Sequence, residues 1–213
     1  MVPETEVESY RHIPLPIVPI PDAVSGISRV RNWILRRFDQ RVVVMFDDDI
    51  TRCKCFVGLH YRQLTKSETY EVIGATAQCA IDAGVGLFGW AQVSDPRKVD
   101  LTQPFHLNRW VGGAVGVVGR EIWWDENLSL KCDIDATLTE LLHRRIVWTD
   151  DRFSFEQVRN TNTGGSATFR SRERIDREMR YLKQKWGSVI KFGKYEHMEK
   201  VSISAKRRQK ISI

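Results

Sequence analysis

Apolar positions along the chain follow two periodicities, and the places where one gives way to the other mark its elements. Val42 to Phe46 is a continuous apolar run, β-branched at its start, and predicts a strand buried on both faces of a sheet. Asp47, Asp48 and Asp49 follow it directly, so the rest of the chain is organised around this stretch. Upstream, Ile27, Val30, Ile34 and Phe38 recur at helical spacing and predict a core-facing stripe. Arg29, Arg31 and Asn32 fall on flanking or opposite positions of that helix, and Ser25 or Asp22 is placed to cap it. Residues 13–21 carry prolines at near-alternate positions. Proline cannot donate to a ladder, so this segment is extended or edge-like.

Downstream, Thr65 with Glu68 makes a capping box, and Val72, Ile73, Thr76, Ala80 and Ala83 predict a helix that stops at Gly84. Strand material follows at 85–93. Residues 105–120 hold four glycines among small apolar residues, which signals a bulge or a close approach to the backbone. A further helix is capped by Asp135 or Thr137 and carries Leu138, Leu141 and Leu142 as its inner stripe. His143, Arg144 and Arg145 complement its C-terminal dipole. Residues 146–148 predict a short strand, with Asp150 and Asp151 in the turn after it. Residues 160–166 form a polar loop of the kind that closes over a ligand. Ile175, Met179, Leu182 and Trp186 space out the buried face of a last helix, crowded with arginine and lysine elsewhere and ended by Gly187. Residues 189–192 return as a strand, and 205–210 are expected to be disordered.

With 213 residues and 42% hydrophobic composition the chain can bury one sizeable core, so one domain is expected. It carries no bilayer-length apolar run and no secretory pattern at its start. The expectation is a soluble, cytoplasmic protein, in the host cytoplasm if viral, with no membrane partner. Cys53, Cys55, Cys79 and Cys132 form no CxxC pair and read as ordinary reduced thiols. The net charge of +6 is unevenly placed: residues 166–213 hold 14 Lys and Arg against 5 Asp and Glu, and residues 1–165 hold 19 against 22. A basic end on a slightly acidic body points to a polyanion, nucleic acid first.

Three consecutive carboxylates at a strand exit repel one another unless a cation or a ring of donors compensates them. Hard oxygen ligands at this density suit Mg²⁺ or Mn²⁺. A solvated strand-to-loop corner is the plainer reading of the same residues. Strand ends are also where open α/β sheets bind ligands. No Walker or Rossmann fingerprint is present. Asp133 and Asp135 converge at a helix start, where one caps and the other is free for chemistry. Buried strand, acidic triplet, glycine-rich strand and second acidic pair is the order expected of a metal-dependent transferase using a nucleotide-linked donor. A divalent ion on the first cluster would neutralise a leaving diphosphate, and a carboxylate of the second would take the acceptor hydroxyl's proton. Glycosyl transfer suits this arrangement, because its transition state gains most from a stabilised leaving group. If the acceptor is nucleic acid, Trp123 and Trp124 are candidates to stack on a displaced base, with a place in the core the plainer reading for at least one of them, and Lys206, Arg207 and Arg208 are candidates to contact phosphates.

The run Gly26-Ile-Ser-Arg-Val-Arg-Asn-Trp-Ile34, followed by Val42-Val-Val-Met-Phe-Asp-Asp-Asp-Ile50, resembles the nucleotide-sugar half of GT-A glycosyltransferases with their DxD motif. With Trp110-Val-Gly-Gly113, Asp133-Ile-Asp135 and Lys185-Trp-Gly187 added, the chain is similar to the TET-associated glycosyltransferases of phages and some eukaryotes over about residues 3–192. The resemblance implies an α/β, single-domain, GT-A-like nucleotide-diphospho-sugar transferase fold over 1–192, with a central mixed sheet flanked by helices and a basic tail over 193–213. It implies a UDP-sugar or similar donor, Mn²⁺ or Mg²⁺ on the DxD carboxylates, and transfer to the hydroxyl of an oxidised pyrimidine such as 5-hydroxymethylcytosine in DNA. Carried over by position, Arg31, Asn32, Asp47 and Asp48 would contact the donor, and Asp47 and Asp49 the metal. His197 is the candidate for a late third ligand, and Asp133 or Asp135 would serve the acceptor. The acidic motif begins at residue 47, after a proline-broken stretch, where GT-A folds open with a βα unit.

Two other classes fit parts of the pattern. Asp47-x-Asp49-x-Thr51 after a buried strand also matches the nucleophile motif of haloacid-dehalogenase-like phosphatases, with Asp47 the covalent phosphate acceptor and Asp49 an acid. That motif normally opens its fold, whereas here a helix precedes it. A non-catalytic nucleic-acid-binding module is the third reading.

Overall fold

The computed structural model describes residues 1–93, 95–100, 102–158, 171–195 and 198–203. A short parallel pair, β1 (Val2–Pro3) and β2 (Pro19–Ile20), brackets the one-turn helix α1 (Val7–Tyr10). Helix α2 (Ile27–Arg37) leads into β3 (Val42–Phe46), and the acidic corner into β4 (Ile50–Val57) and β5 (His60–Gln63). Helix α3 (Lys66–Asp82), β6 (Leu87–Ala91), β7 (Phe105–His106), β8 (Ala114–Val118), α4 (Cys132–His143) and β9 (Trp148–Gln157) follow. Helix α5 (Arg172–Trp186) then precedes a hairpin of β10 (Ile190–Tyr195) and β11 (Met198–Ile203).

Among the described residues, the main sheet has seven strands in the order β3-β8-β6-β9-β4-β5, with β7 added against β9. It is mixed: β6 and β9 run parallel, and the other pairs are antiparallel. Side-chain alternation sorts the core into two halves. Val43, Met45, Leu87, Val115 and Val117 point to the face covered by α2, α4 and α5, where Ile34, Leu35, Leu138, Leu141 and Leu182 join them. Val42, Val44, Phe88, Trp90 and Ala114 point to the other face, against Ala80 of α3 and Cys53 and Phe155 of β4 and β9. The chain is thus one compact α/β domain, a mixed sheet flanked by helices. Among the described residues, no helix is long and apolar enough to cross a membrane.

Phe46 ends β3 at one extreme of the strand order, and Ile50 begins β4 near the other. The three residues between them join strands that three other strands separate. A flat sheet cannot be crossed that way. The parallel ladder of β6 and β9 skips from Trp90↔Asp150 to Ala91↔Ser154, an irregularity that bends β9 and carries its end, with β4, over the sheet. The Phe46 ring then meets Phe155 at 4.9 Å and stacks at 6.3 Å from Trp90.

Several expectations change here. The 42–46 strand is an edge strand in which only Met45 is fully buried and Phe46 is exposed, so its apolar run answers to packing beneath helices and the curled sheet rather than to strand neighbours on both sides. Neither Ser25 nor Asp22 caps α2. Its N-cap is Gly26 at φ +93°, and Asp22 instead accepts the Thr5 hydroxyl at 3.1 Å. Helix α4 begins at Cys132 with no side-chain cap, and Leu142 is exposed rather than part of the inner stripe. Asp150 and Asp151 lie inside the ten-residue β9, both buried, because Arg152 grips Asp150 and Arg109 pairs with Asp151, with His106 Nε2 at 3.5 Å. The expected boundary at 192/193 falls within β10. Residues 160–166 and 205–210 lie outside the described residues.

The capping box holds as expected: Thr65 accepts from Glu68 N at 3.3 Å, and Glu68 accepts from Thr65 N at 2.8 Å. Gly84 at φ +66° and Gly187 at φ +57° end their helices in conformations that disfavour a side chain.

Candidate active site

Three elements converge where β3 gives way to the acidic corner. Asp47 N–H still belongs to the ladder, donating to Gly113 O at 2.8 Å at the start of β8. Val158 N–H donates to Asp49 O at 2.9 Å, which extends the β4/β9 ladder to the other side of the corner. Asp47 therefore sits between the first residues of β8 and the last of β9. Gln157 Nε2 lies 3.5 Å from its Oδ2. A β-carbon on Gly113 would strike the Gln157 amide and the Asp47 carboxylate, and one on Gly112 would strike Gln92. The two glycines are what allow these side chains to close on the backbone. Gln92, Gly113, Ala114, Phe155 and Gln157 line a small polar crevice beside Trp90, at the carboxyl ends of β3 and β6.

The other half of the centre comes from α2 and α4. Arg31, 2% exposed, bridges two carboxylates: its Nη2 lies 3.0 Å from Asp47 Oδ1, and its Nη1 donates to Asp133 Oδ1 in the first turn of α4. The guanidinium also lies over the Trp124 ring, 5.4 Å from its centroid. Burial opposes the charge on Arg31, but Asp133 and Asp47 outweigh it and raise its pKa, so it is a permanent cation. Burial pushes Asp47 up to about 6. Arg31 opposes that shift, while the like charges of Asp133 and Asp49 reinforce it.

Asn32, expected at a donor, is instead used by the protein. Its amide nitrogen donates to Trp124 O at 2.9 Å and Glu126 Oε1 at 3.0 Å, and its oxygen accepts from Trp124 N at 2.9 Å. Trp124 is 3% exposed within the core, so its ring has no face for a base. Trp123 is 43% exposed, with Arg36 over its ring at 5.1 Å. Asp133 and Asp135 part company. Asp133 faces Arg31 and keeps some exposure. Asp135, 1% exposed, accepts from Lys185 Nζ at 2.9 Å and Trp186 Nε1 at 2.7 Å, which leaves no room for an acceptor hydroxyl. Asp48 is exposed and Asp49 half-buried at the corner. His197, Lys206, Arg207 and Arg208 lie outside the described residues.

Sequence reasoning missed Gln157, Asp125, Tyr181 and the role of Lys185. Tyr181 donates to Asp125 at 2.6 Å, and Lys185 Nζ lies 2.9 Å from the same carboxylate. Burial alone would raise Asp125, but the hydrogen bonds from Tyr181, Lys185 and Asn127 hold it at about 2. The signal available was Lys185-Trp186 itself, a lysine beside a tryptophan at the end of a helix.

Among the described residues, no three His, Cys, Asp or Glu side chains converge closely enough to enclose a metal ion. The donor set is one or two hard carboxylates at the corner, which fits a cation such as Mg²⁺ that binds through one or two carboxylates and completes its shell with substrate phosphate and water. Comparison with family models, curated proteins and solved structures finds no match to this chain.

Proposed function

We propose that the chain is a metal-dependent glycosyltransferase that moves a sugar from a UDP-sugar or similar donor to a hydroxyl on DNA, of the kind carried by 5-hydroxymethylcytosine. The observation that carries this reading is the Asp47–Arg31–Asp133 cluster at the carboxyl ends of β3 and β6, where open α/β sheets take ligands. A carboxylate-rich corner, a buried cation and a second carboxylate held by the same cation supply the parts that transfer from a diphosphate requires. Asp47 and Asp49 would hold the Mn²⁺ or Mg²⁺, whose charge would offset that of the leaving diphosphate.

Arg31 fixes Asp133 at a set place beside the corner, because its fork binds both carboxylates at once. Asp133 is the proton acceptor: as the acceptor oxygen bonds to the anomeric carbon and the bond to the diphosphate breaks, its carboxylate takes the hydroxyl proton. Asp135 is excluded from that role by its burial and partners. A nucleic-acid acceptor is supported by the exposed side of α5, which carries Arg172, Arg177, Arg180 and Lys183, and by the exposed ring of Trp123.

The test is donor turnover with Mn²⁺ over a panel of UDP-sugars, with and without hydroxymethylated DNA. The expected result is UDP release that depends on that DNA, with a hexose mass gain on the nucleoside. Asp49→Ala should abolish transfer and leave DNA binding in place. Unchanged turnover in that variant removes the metal assignment, and no release with any donor removes the glycosyl-transfer reading.

A further inference from the structure

Asp135 presents a problem that the proposed chemistry does not address. A carboxylate at 1% exposure is costly unless it is paired and hydrogen-bonded, and a neighbour in the same helical turn, Asp133, already supplies the reactive carboxylate. Its partners come from the far end of the sequence. Lys185 Nζ lies 2.9 Å from Oδ1 and 3.0 Å from Oδ2, and Trp186 Nε1 donates to Oδ1 at 2.7 Å. Both residues belong to the last turn of α5, which Gly187 terminates at once. Lys185 also reaches Asp125 at 2.9 Å, where Tyr181, one turn earlier, donates at 2.6 Å. Further up the same helix, Glu178 accepts from Ser129 N at 3.0 Å and Leu130 N at 2.9 Å. Helix α5 thus grips the approach to α4 at Asp125, Ser129 and Leu130, and then its first turn at Asp135.

We propose that Lys185 and Trp186 are positioning residues of the active site: by holding Asp135 they fix the first turn of α4, and through it the place of Asp133 against Arg31 and Asp47. This rests on the glycosyl-transfer reading for what Asp133 does, but the lock itself is a matter of geometry. Helix α4 begins at Cys132 with no side-chain cap, and within the helix Thr137 Oγ1 donates to Asp133 O at 2.8 Å, so its first turn also depends on bonds from other elements. One turn further on, Thr137 ties the helix to Val111, its hydroxyl accepting from Val111 N at 3.1 Å, while Lys185 and Trp186 tie the first turn to α5. Asp133 and Asp135 point to different partners, so a shift that lets Asp135 go moves Asp133 as well.

The experiment compares the full-length chain with Lys185→Met/Asp135→Asn, Lys185→Arg and Trp186→Phe. The double variant removes the Lys185 and Asp135 charges together, so no unpaired carboxylate remains at position 135, and Asp125 keeps its hydrogen bonds from Tyr181 and Asn127. Trp186→Phe deletes a single donor and serves if the double variant does not fold. Two readouts are taken: kcat and donor KM for DNA-dependent UDP release, and amide hydrogen exchange over residues 132–137 against the rest of α4. The expected result is a fall in kcat of roughly tenfold or more with donor KM held, faster exchange confined to 132–137, and partial recovery of kcat in Lys185→Arg. Native kcat with native exchange in the double variant, or in Trp186→Phe if that is the folded one, overturns the proposal. A loss of activity that merely tracks the folded fraction also overturns it. If the native chain releases no UDP with any donor, the transfer reading fails, and exchange over 132–137 still decides the lock.

Discussion

At Asp47 the position of one proton sets both stability and chemistry. Burial is the chief reason its carboxyl sits near 6, Arg31 opposing and Asp133 and Asp49 reinforcing the shift. The unfolded chain releases this proton near the ordinary carboxylate value of about 4. The folded state binds it more tightly, so the stabilisation linked to Asp47 is fully present below pH 4 and is lost as pH rises through 6. Denaturant titrations from pH 4 to 7 should show that loss, and Asp47→Asn should remove it. Transfer should have the opposite trend over the same range, with an acid limb near pH 6, because the anion is the form that would hold the cation. An acid limb that persists unmoved in Asp47→Asn would assign it to another group. Little of this was legible beforehand. The triplet announced a charged corner, but its compensation by a guanidinium depends on Arg31, which helical spacing put only on a flanking or opposite position and which the resemblance assigned to the donor. Spacing reports which residues share a face; it does not reveal that Asp133, 102 residues from Arg31, stands ready to pair with a buried arginine.

Among the elements, those built from neighbours in sequence were the legible ones. Thr65 and Glu68 close their capping box within a single turn, and Gly84 and Gly187 stop their helices by backbone conformation alone, so short windows of sequence contain the whole cause. The strand expected at 146–148 shares only Trp148 with β9, because Asp150 and Asp151 read as a turn. Their acceptance inside a strand depends partly on Arg109, 42 residues from Asp151, which no local window includes. The glycine-rich stretch read as either a bulge or a close approach, and at Gly116 the structure shows the approach. Gly116, in β8 between β3 and β6, faces the Phe88 ring so closely that a β-carbon would enter it. Gly116→Val should cost about 3 kcal/mol or more by overpacking, measured by urea denaturation. A loss under about 1 kcal/mol would mean that Phe88 swings aside without penalty.

On the scale of the whole molecule, charge and sheet curvature tell different stories. The basic excess was visible from composition, and the described part of it lies largely along α5, whose buried residues are Glu178 and Leu182 and whose outer face keeps Arg177, Arg180 and Lys183 exposed. Reversing those three to Glu should weaken duplex binding and flatten its logarithmic salt dependence by roughly one unit per lost phosphate contact. An unchanged slope would move the acceptor away from this helix. Curvature was not visible at all, since it arises from the irregularity in β9 that lets the chain step from one extreme of the strand order toward the other. That step has a consequence in time. The corner is assembled from residues 47, 113 and 157, and the Asp47–Gln157 approach alone spans 110 residues. Contacts of such long sequence separation pay their loop-closure entropy late and form slowly. A nascent chain that ends before β9 would already carry Arg31, Asp47 and Asp133 but lack the Gln157 side of the corner, so any transfer activity would appear only once nearly the whole described chain has been made and folded.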